Sequence, residues 1–253
     1  MTRKIMVVGL SLLFTLYITG VCVFAVGEKE LEKQSNLIAM LLVSCRAIIA
    51  QNQHLINDSE IGDKGFTGDV YISKVMEHYK NLTGIEISES DLSSSDIEKK
   101  ALAVLLISAK DVINEYQRDI NKKGVGFKNV IPAIVGRRTS YKYTNRMGAG
   151  YYLKQTSMQY RNPANHPDIF ETSVFKKFEE SGYQKGKGIG EVVASFNGLR
   201  VYRYMLPVYI EPACLECHGD PKGKRDISGG IKEGYKEGEM RGAISVMIPY
   251  PSE

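Results

Sequence analysis

The chain predicts an α+β fold: a helical N-terminal part followed by a small antiparallel sheet. Three observations predict it. Over residues 28–57, Leu31, Ile38, Leu41, Leu42, Cys45, Ile48, Ile49 and Leu55 recur at three- and four-residue steps without an interrupting Gly or Pro, the signature of a helix. Asn197-Gly198 separates two strand-like stretches, and this dipeptide is the strongest short-range hairpin signal. Helical patterns come first and strand patterns last, an order that suggests α+β rather than alternating α/β.

The elements follow in order. After the long helix, Gly62, Gly65 and Gly68 mark a loop, and a short helix is expected over 70–80. A Ser- and Asp-rich stretch over 88–96 leads to Ser95 and Glu98, the spacing of a capping box, so a second long helix is expected from there to Asn121, stopping at Gly124. Ile131-Pro132 opens a helix toward Met147, and residues 151–157 read as a strand. A helix is expected over 167–181, with Pro167 in its first turn and Gly182 at its end. The hairpin strands are expected at 191–196 and 199–210, and a last strand at 240–249. The chain therefore divides into a targeting segment at 1–27, a helical arm and helical region at 28–124, and a mixed core at 125–253.

The 253 residues are 43% apolar and 25% charged, which excludes a largely disordered chain and a multi-span membrane protein. The net charge of +4 is spread without a basic block, so no nucleic-acid partner is expected. Arg3 and Lys4 precede an uncharged run over residues 5–26, the pattern of an exported chain. Ala25-Val26-Gly27 offers a cleavage site, yet the run is long enough to span a bilayer as an uncleaved anchor. Either way the remainder is expected outside the cytoplasm, in the periplasm, free or anchored in the inner membrane through residues 5–26.

The chemistry concentrates in Cys214-Leu215-Glu216-Cys217-His218. This is C-x-x-C-H, the attachment signature of c-type haem. Two thiols at this spacing add to the two haem vinyl groups, and the adjoining imidazole reaches the iron from the same side. One such motif means one covalent haem c, with His218 as proximal iron ligand. A redox disulfide competes, but no thioredoxin-like βαβ pattern surrounds the cysteines. Zinc competes too, but a structural site needs a fourth ligand.

The opposite iron ligand is open to His54, His78, His166, Cys45 and nine methionines. Cys45 lies on the apolar stripe of the first helix. From spacing alone, a ligand and a buried small hydrophobe are equally good readings of it. Arg161 reads as either a haem propionate partner or a tie to Glu171 or to backbone carbonyls, with the tie favoured. Arg200, Arg203 and Arg241 are further propionate candidates.

From Phe127 onward the chain resembles a family of exported single-haem c-type proteins with a PAS-like fold, which occurs alone and as the sensor part of membrane kinases and chemoreceptors. The resemblance rests on Phe127 to Ala133, Lys154-Gln155-Thr156-Ser157, Arg161 to Pro167 with Glu171, Cys214 to Pro221, and Gly234 with Arg241 to Val246. It implies a PAS-like antiparallel sheet carrying a long N-terminal helical arm. It also implies an iron held by histidine and by a cysteine of the N-terminal helix, here His218 and Cys45.

A thiolate opposite an imidazole favours ferric iron, and the potential is expected to be low. Six-coordinate iron leaves no open position, so enzyme chemistry is not expected. Electron transfer outside the cytoplasm, with a redox partner protein, is the first functional expectation. The alternative is a redox or gas (NO or CO) sensor. With no output segment after residue 250, sensing would work through a separate signalling partner.

Overall fold

The computed structural model describes residues 27–196 and 198–250. The targeting run over residues 5–26, Cys22 within it and the turn residue Asn197 lie outside the described residues.

The first helix, α1 (Glu28–Gln51), carries Glu28 and Glu30 in its first turn, where negative charge suits the helix dipole. It stops at Asn52, whose side-chain Nδ2 donates to the Ile48 carbonyl at 2.7 Å. A single turn, α2 (Gln53–Ile56), follows, so the helix expected to reach 57 is two pieces. Next come α3 (Gly68–Thr83), a 3-10 turn at Glu89–Ser93, and α4 (Ile97–Ile120). The cap of α4 is Asp96 and not Ser95. Its Oδ1 accepts from the backbone N–H of Glu98 at 2.9 Å and of Lys99 at 3.4 Å. A carboxylate one position later thus takes the orphan donors that the Ser95–Glu98 spacing assigned to Ser95.

α5 (Pro132–Met147) begins on its proline, as expected. α6 (Ile169–Phe178) is shorter than the 167–181 span expected. Asp168 caps it and forms a reciprocal capping box with Glu171, which leaves Pro167 outside the helix. The strands are β1 (Tyr152–Thr156), β2 (Ile189–Phe196), β3 (Leu199–Tyr209) and β4 (Met240–Pro249). They form one antiparallel sheet in the order β1-β4-β3-β2. Gly198, in the β2–β3 turn, has φ 80°, a conformation glycine adopts without strain.

Strand alternation gives the sheet two different faces. Leu153, Tyr202, Tyr204, Ile244, Val246 and Ile248 share one face and join the helical core around α1. Met205 and Ala243 lie on the other and pack against Phe170, Val174, Phe175 and Phe178 of α6. α1 itself packs against α3, α4 and α5 and also against β3 and β4. It is long and apolar enough to cross a membrane, but 61% of its most apolar stretch is buried in the protein, where it serves as a core helix. Full burial of Leu41 and Leu42 contributes roughly 1.5–3 kcal/mol each. One apolar cluster runs from Leu31 to Ile248, so residues on both sides of 124 share a core.

Candidate functional site

Cys214 ends a 3-10 turn (Pro212–Cys214), and the next residues form a single helical turn, α7 (Leu215–His218). The turn directly follows β3, so the sheet sets where the pentapeptide starts. Both cysteines are unpaired and half-buried, with their thiols free.

Beyond α7 the chain loops out and returns. The Gly234 and Tyr235 amides donate to the His218 carbonyl at 3.1 and 2.9 Å. The returning segment brings in Glu233, whose Oε2 lies 2.8 Å from His218 Nδ1. With Nδ1–H donating to this carboxylate, Nε2 carries the lone pair and is free to bind a metal, the usual arrangement of a ligating histidine. The Tyr235 ring stands edge-on to the imidazole at 6.4 Å.

Arg161 ties the loop together. Its Nε donates to Glu233 Oε1 at 2.7 Å, Nη1 to Asp226 Oδ2 at 2.6 Å, and Nη2 to Glu233 Oε2 at 2.8 Å. Nη2 also donates to the Cys217 and Ile231 carbonyls, each at 2.9 Å. The tie to backbone carbonyls is therefore present, but the expected partner Glu171 is not. Glu171 is fully buried elsewhere, held by Lys154 Nζ at 2.8 Å and the Thr156 hydroxyl at 3.0 Å. Helix capping by Asp168 turns Glu171 toward β1, away from Arg161.

The profile of the Tll0287-like domain family matches residues 26–249. The chain belongs to the Tll0287-like domain family. No curated protein and no solved structure shows a match.

In this Tll0287-like chain the other candidate residues are dispersed. Cys45 is fully buried on α1. The Tyr71 hydroxyl of α3 donates to its carbonyl at 2.9 Å and lies against its thiol. Among the described residues, the hydrogen-bond and ring partners of Cys45 and those of His218 have no member in common. α1 nevertheless packs on the Pro212–Cys214 turn, and Arg46, next to Cys45, is an electrostatic neighbour of Cys214. His54 is exposed, His78 Nδ1 lies 3.0 Å from Ser44 Oγ, and His166 is exposed with its ring edge-on to Tyr160. Arg203 is buried on the α6 face, paired with Asp168 at 2.8 Å, and Arg200 lies over the Tyr250 ring. Arg241 Nη1 donates to Ser157 Oγ at 2.7 Å, and its Nη2 lies 3.6 Å from Glu233. Sequence reasoning missed Glu233, Asp226 and Arg46.

Burial pushes the Cys45 thiol up to about 12, so it is neutral at ordinary pH in the protein alone. Burial also lowers the His218 pKa, outweighing the Glu233 hydrogen bond, and this keeps the imidazole neutral and ligand-competent. For Glu233, burial acts upward, but the hydrogen bonds from Arg161 and His218 prevail and hold it at about 2.

Glu233 therefore predicts an acid response. A carboxyl at about 2 when folded and near its ordinary 4.5 when unfolded adds stability that is complete above 4.5 and lost as pH falls toward 2. Its contribution is about 2 kcal/mol after allowance for solvent screening. Urea midpoints of the haem-free chain and of Glu233→Gln, taken from pH 6 to pH 2.5, are expected to converge at the acid end. Parallel curves would contradict this reading of the site.

Proposed function

We propose that the protein is an exported c-type monohaem electron-transfer protein. Cys214 and Cys217 carry the thioether links, His218 binds the iron through Nε2, and Cys45 is the opposite ligand. The observation that carries this reading is the C-x-x-C-H pentapeptide with its histidine already oriented: Nδ1 engaged by Glu233, Nε2 free, and the imidazole neutral. The donor set fits the group, because both thiols are free and half-buried beside the histidine. When bound, the haem supplies a one-electron iron couple. Around it, Glu233 orients His218 and raises its basicity, and Arg161 fixes the Cys217 carbonyl and hence the loop. The resemblance to Cys/His-ligated haem proteins with a PAS-like fold supports the antiparallel sheet as the PAS-like part and Cys45 as a ligand.

A second reading, a redox or gas sensor acting through a separate partner, has one observation in its favour. The helix that bears Cys45 packs on α3, α4 and α5 and on β3 and β4, so a shift at Cys45 would be felt on both sides of the core.

Thioether formation occurs outside the cytoplasm, so the export reading can be tested together with the haem reading. Expressed with a cytochrome c maturation system, the full chain is expected to acquire haem. The chain lacking residues 1–27, with no other signal supplied, is expected to remain haem-free. Normal maturation of the truncated chain would refute the export assignment.

A further inference from the structure

Although Glu211 attracts it electrostatically, Arg46 forms no ion pair among the described residues beside the motif. It follows Cys45 on α1 and passes between α5 and β1. A Cβ on Gly136 of α5 would lie 3.1 Å from the Arg46 Cδ and Cγ and 3.0 Å from Gln155 Oε1 of β1, so the glycine makes room for the arginine stem. Arg46 Nε is buried and has no hydrogen-bond partner. The other arginines considered as propionate partners near the motif are paired: Arg161 with Asp226 and Glu233, Arg203 with Asp168, and Arg241 with Glu233 at 3.6 Å. The groups that act electrostatically on Arg46 are Cys214, Glu211 and Arg241, and none of them forms a hydrogen bond or ion pair with it. Arg46 and Arg241 thus repel each other beside Cys214, and Arg46 has no ion-pair partner among the described residues.

Arg46 is half-buried, its buried Nε has no acceptor among the described residues, and the guanidinium's fork of donors matches a carboxylate. An anion that arrives with a group bound at Cys214 would supply the acceptor that Nε lacks. A haem attached at Cys214 would carry two carboxylate side chains, on the macrocycle edge away from its thioether links, and α1, which bears Arg46, packs on the turn that ends at Cys214. We propose that Arg46 binds a propionate carboxylate of the haem. This inference rests on the haem reading of Cys214–His218 and deepens it. Arg46 would then neutralise the propionate charge and hold the macrocycle against α1, the helix that also bears Cys45. The Gly136 gap is what lets the guanidinium reach that position.

The test uses the full chain matured with covalent haem, comparing wild type, Arg46→Gln and Arg46→Lys. The propionate bending band in resonance Raman is expected to shift in Arg46→Gln and to return partway in Arg46→Lys, which restores the charge without the fork. The reduction potential is expected to fall in Arg46→Gln, because a cation near the iron is lost, and to recover in Arg46→Lys. If Arg46→Gln does not accumulate, Arg46→Lys alone still reports, since loss of the fork also shifts the propionate band. A haem-loaded pair of variants with the wild-type propionate band would overturn the inference and leave the haem reading intact. A wild-type chain without covalent haem, shown by pyridine haemochrome, would overturn both.

Discussion

After maturation in an export-competent host, the wild-type chain is expected to keep its haem through acid–acetone extraction, with one haem per chain by pyridine haemochrome. This is the largest effect the site predicts, because it is all or nothing. Cys214→Ala or Cys217→Ala leaves one thioether, so the haemochrome band is expected to move to longer wavelength as one vinyl group survives. The double variant is expected to lose all covalent haem. The half-buried thiols and their position on a turn pinned by the Arg161–Cys217 carbonyl bond explain why both sulfurs are available together. Haem that passes entirely into the organic phase from the wild type would refute the proposed function.

Cys45→Ser is expected to keep the covalent haem but lose a low-spin, thiolate-type ferric EPR signal. Its potential is expected to rise by about 0.1–0.3 V, a modest part of the ~0.8 V that axial ligands can span. The direction follows from charge: an anionic sulfur matches ferric iron better than ferrous iron, and its removal favours reduction. Burial keeps the Cys45 thiol protonated in the protein alone, so ligation must displace that proton. Carbon monoxide binding to the reduced wild type would show that the sulfur leaves on reduction and would favour sensing. Failure to bind would mark a locked six-coordinate iron and favour electron transfer. An unchanged ferric spectrum in Cys45→Ser would remove Cys45 from the ligand set.

Local signals in this chain were legible and long-range ones were not. The apolar period of α1 and the Asn197-Gly198 turn each act over a few residues: the turn places both hairpin strands within two residues, and the period places the start of α1, but it runs past the break at Asn52. Cap positions slipped where two candidates compete at adjacent positions. Asp96 took the donors expected of Ser95, and Asp168 displaced Pro167 from the helix start. At the site, the C-x-x-C-H pattern is legible because it is defined by spacing alone. The Glu233–His218 and Arg161–Asp226 pairs were not, because partners 15 and 65 residues apart are joined only by the path of the loop. Arg46 was invisible for the same reason: a helical arginine reads as solvated until the neighbours that enclose it are known.

The position of α1 has a consequence for how the chain becomes a protein. This helix is the first described element to emerge, yet β4, the last, completes its sheet-facing cover. Contacts closed across nearly the whole sequence form late, after the entropy of a very long loop has been overcome. Cys214 and Cys217 precede β4, so they are made before the core around α1 can shut. A chain emerging from a membrane channel would therefore present Cys214 and Cys217 to the attachment machinery while still open. In the proposed haem protein, β4 would close on α1 only after those cysteines had been open to attachment.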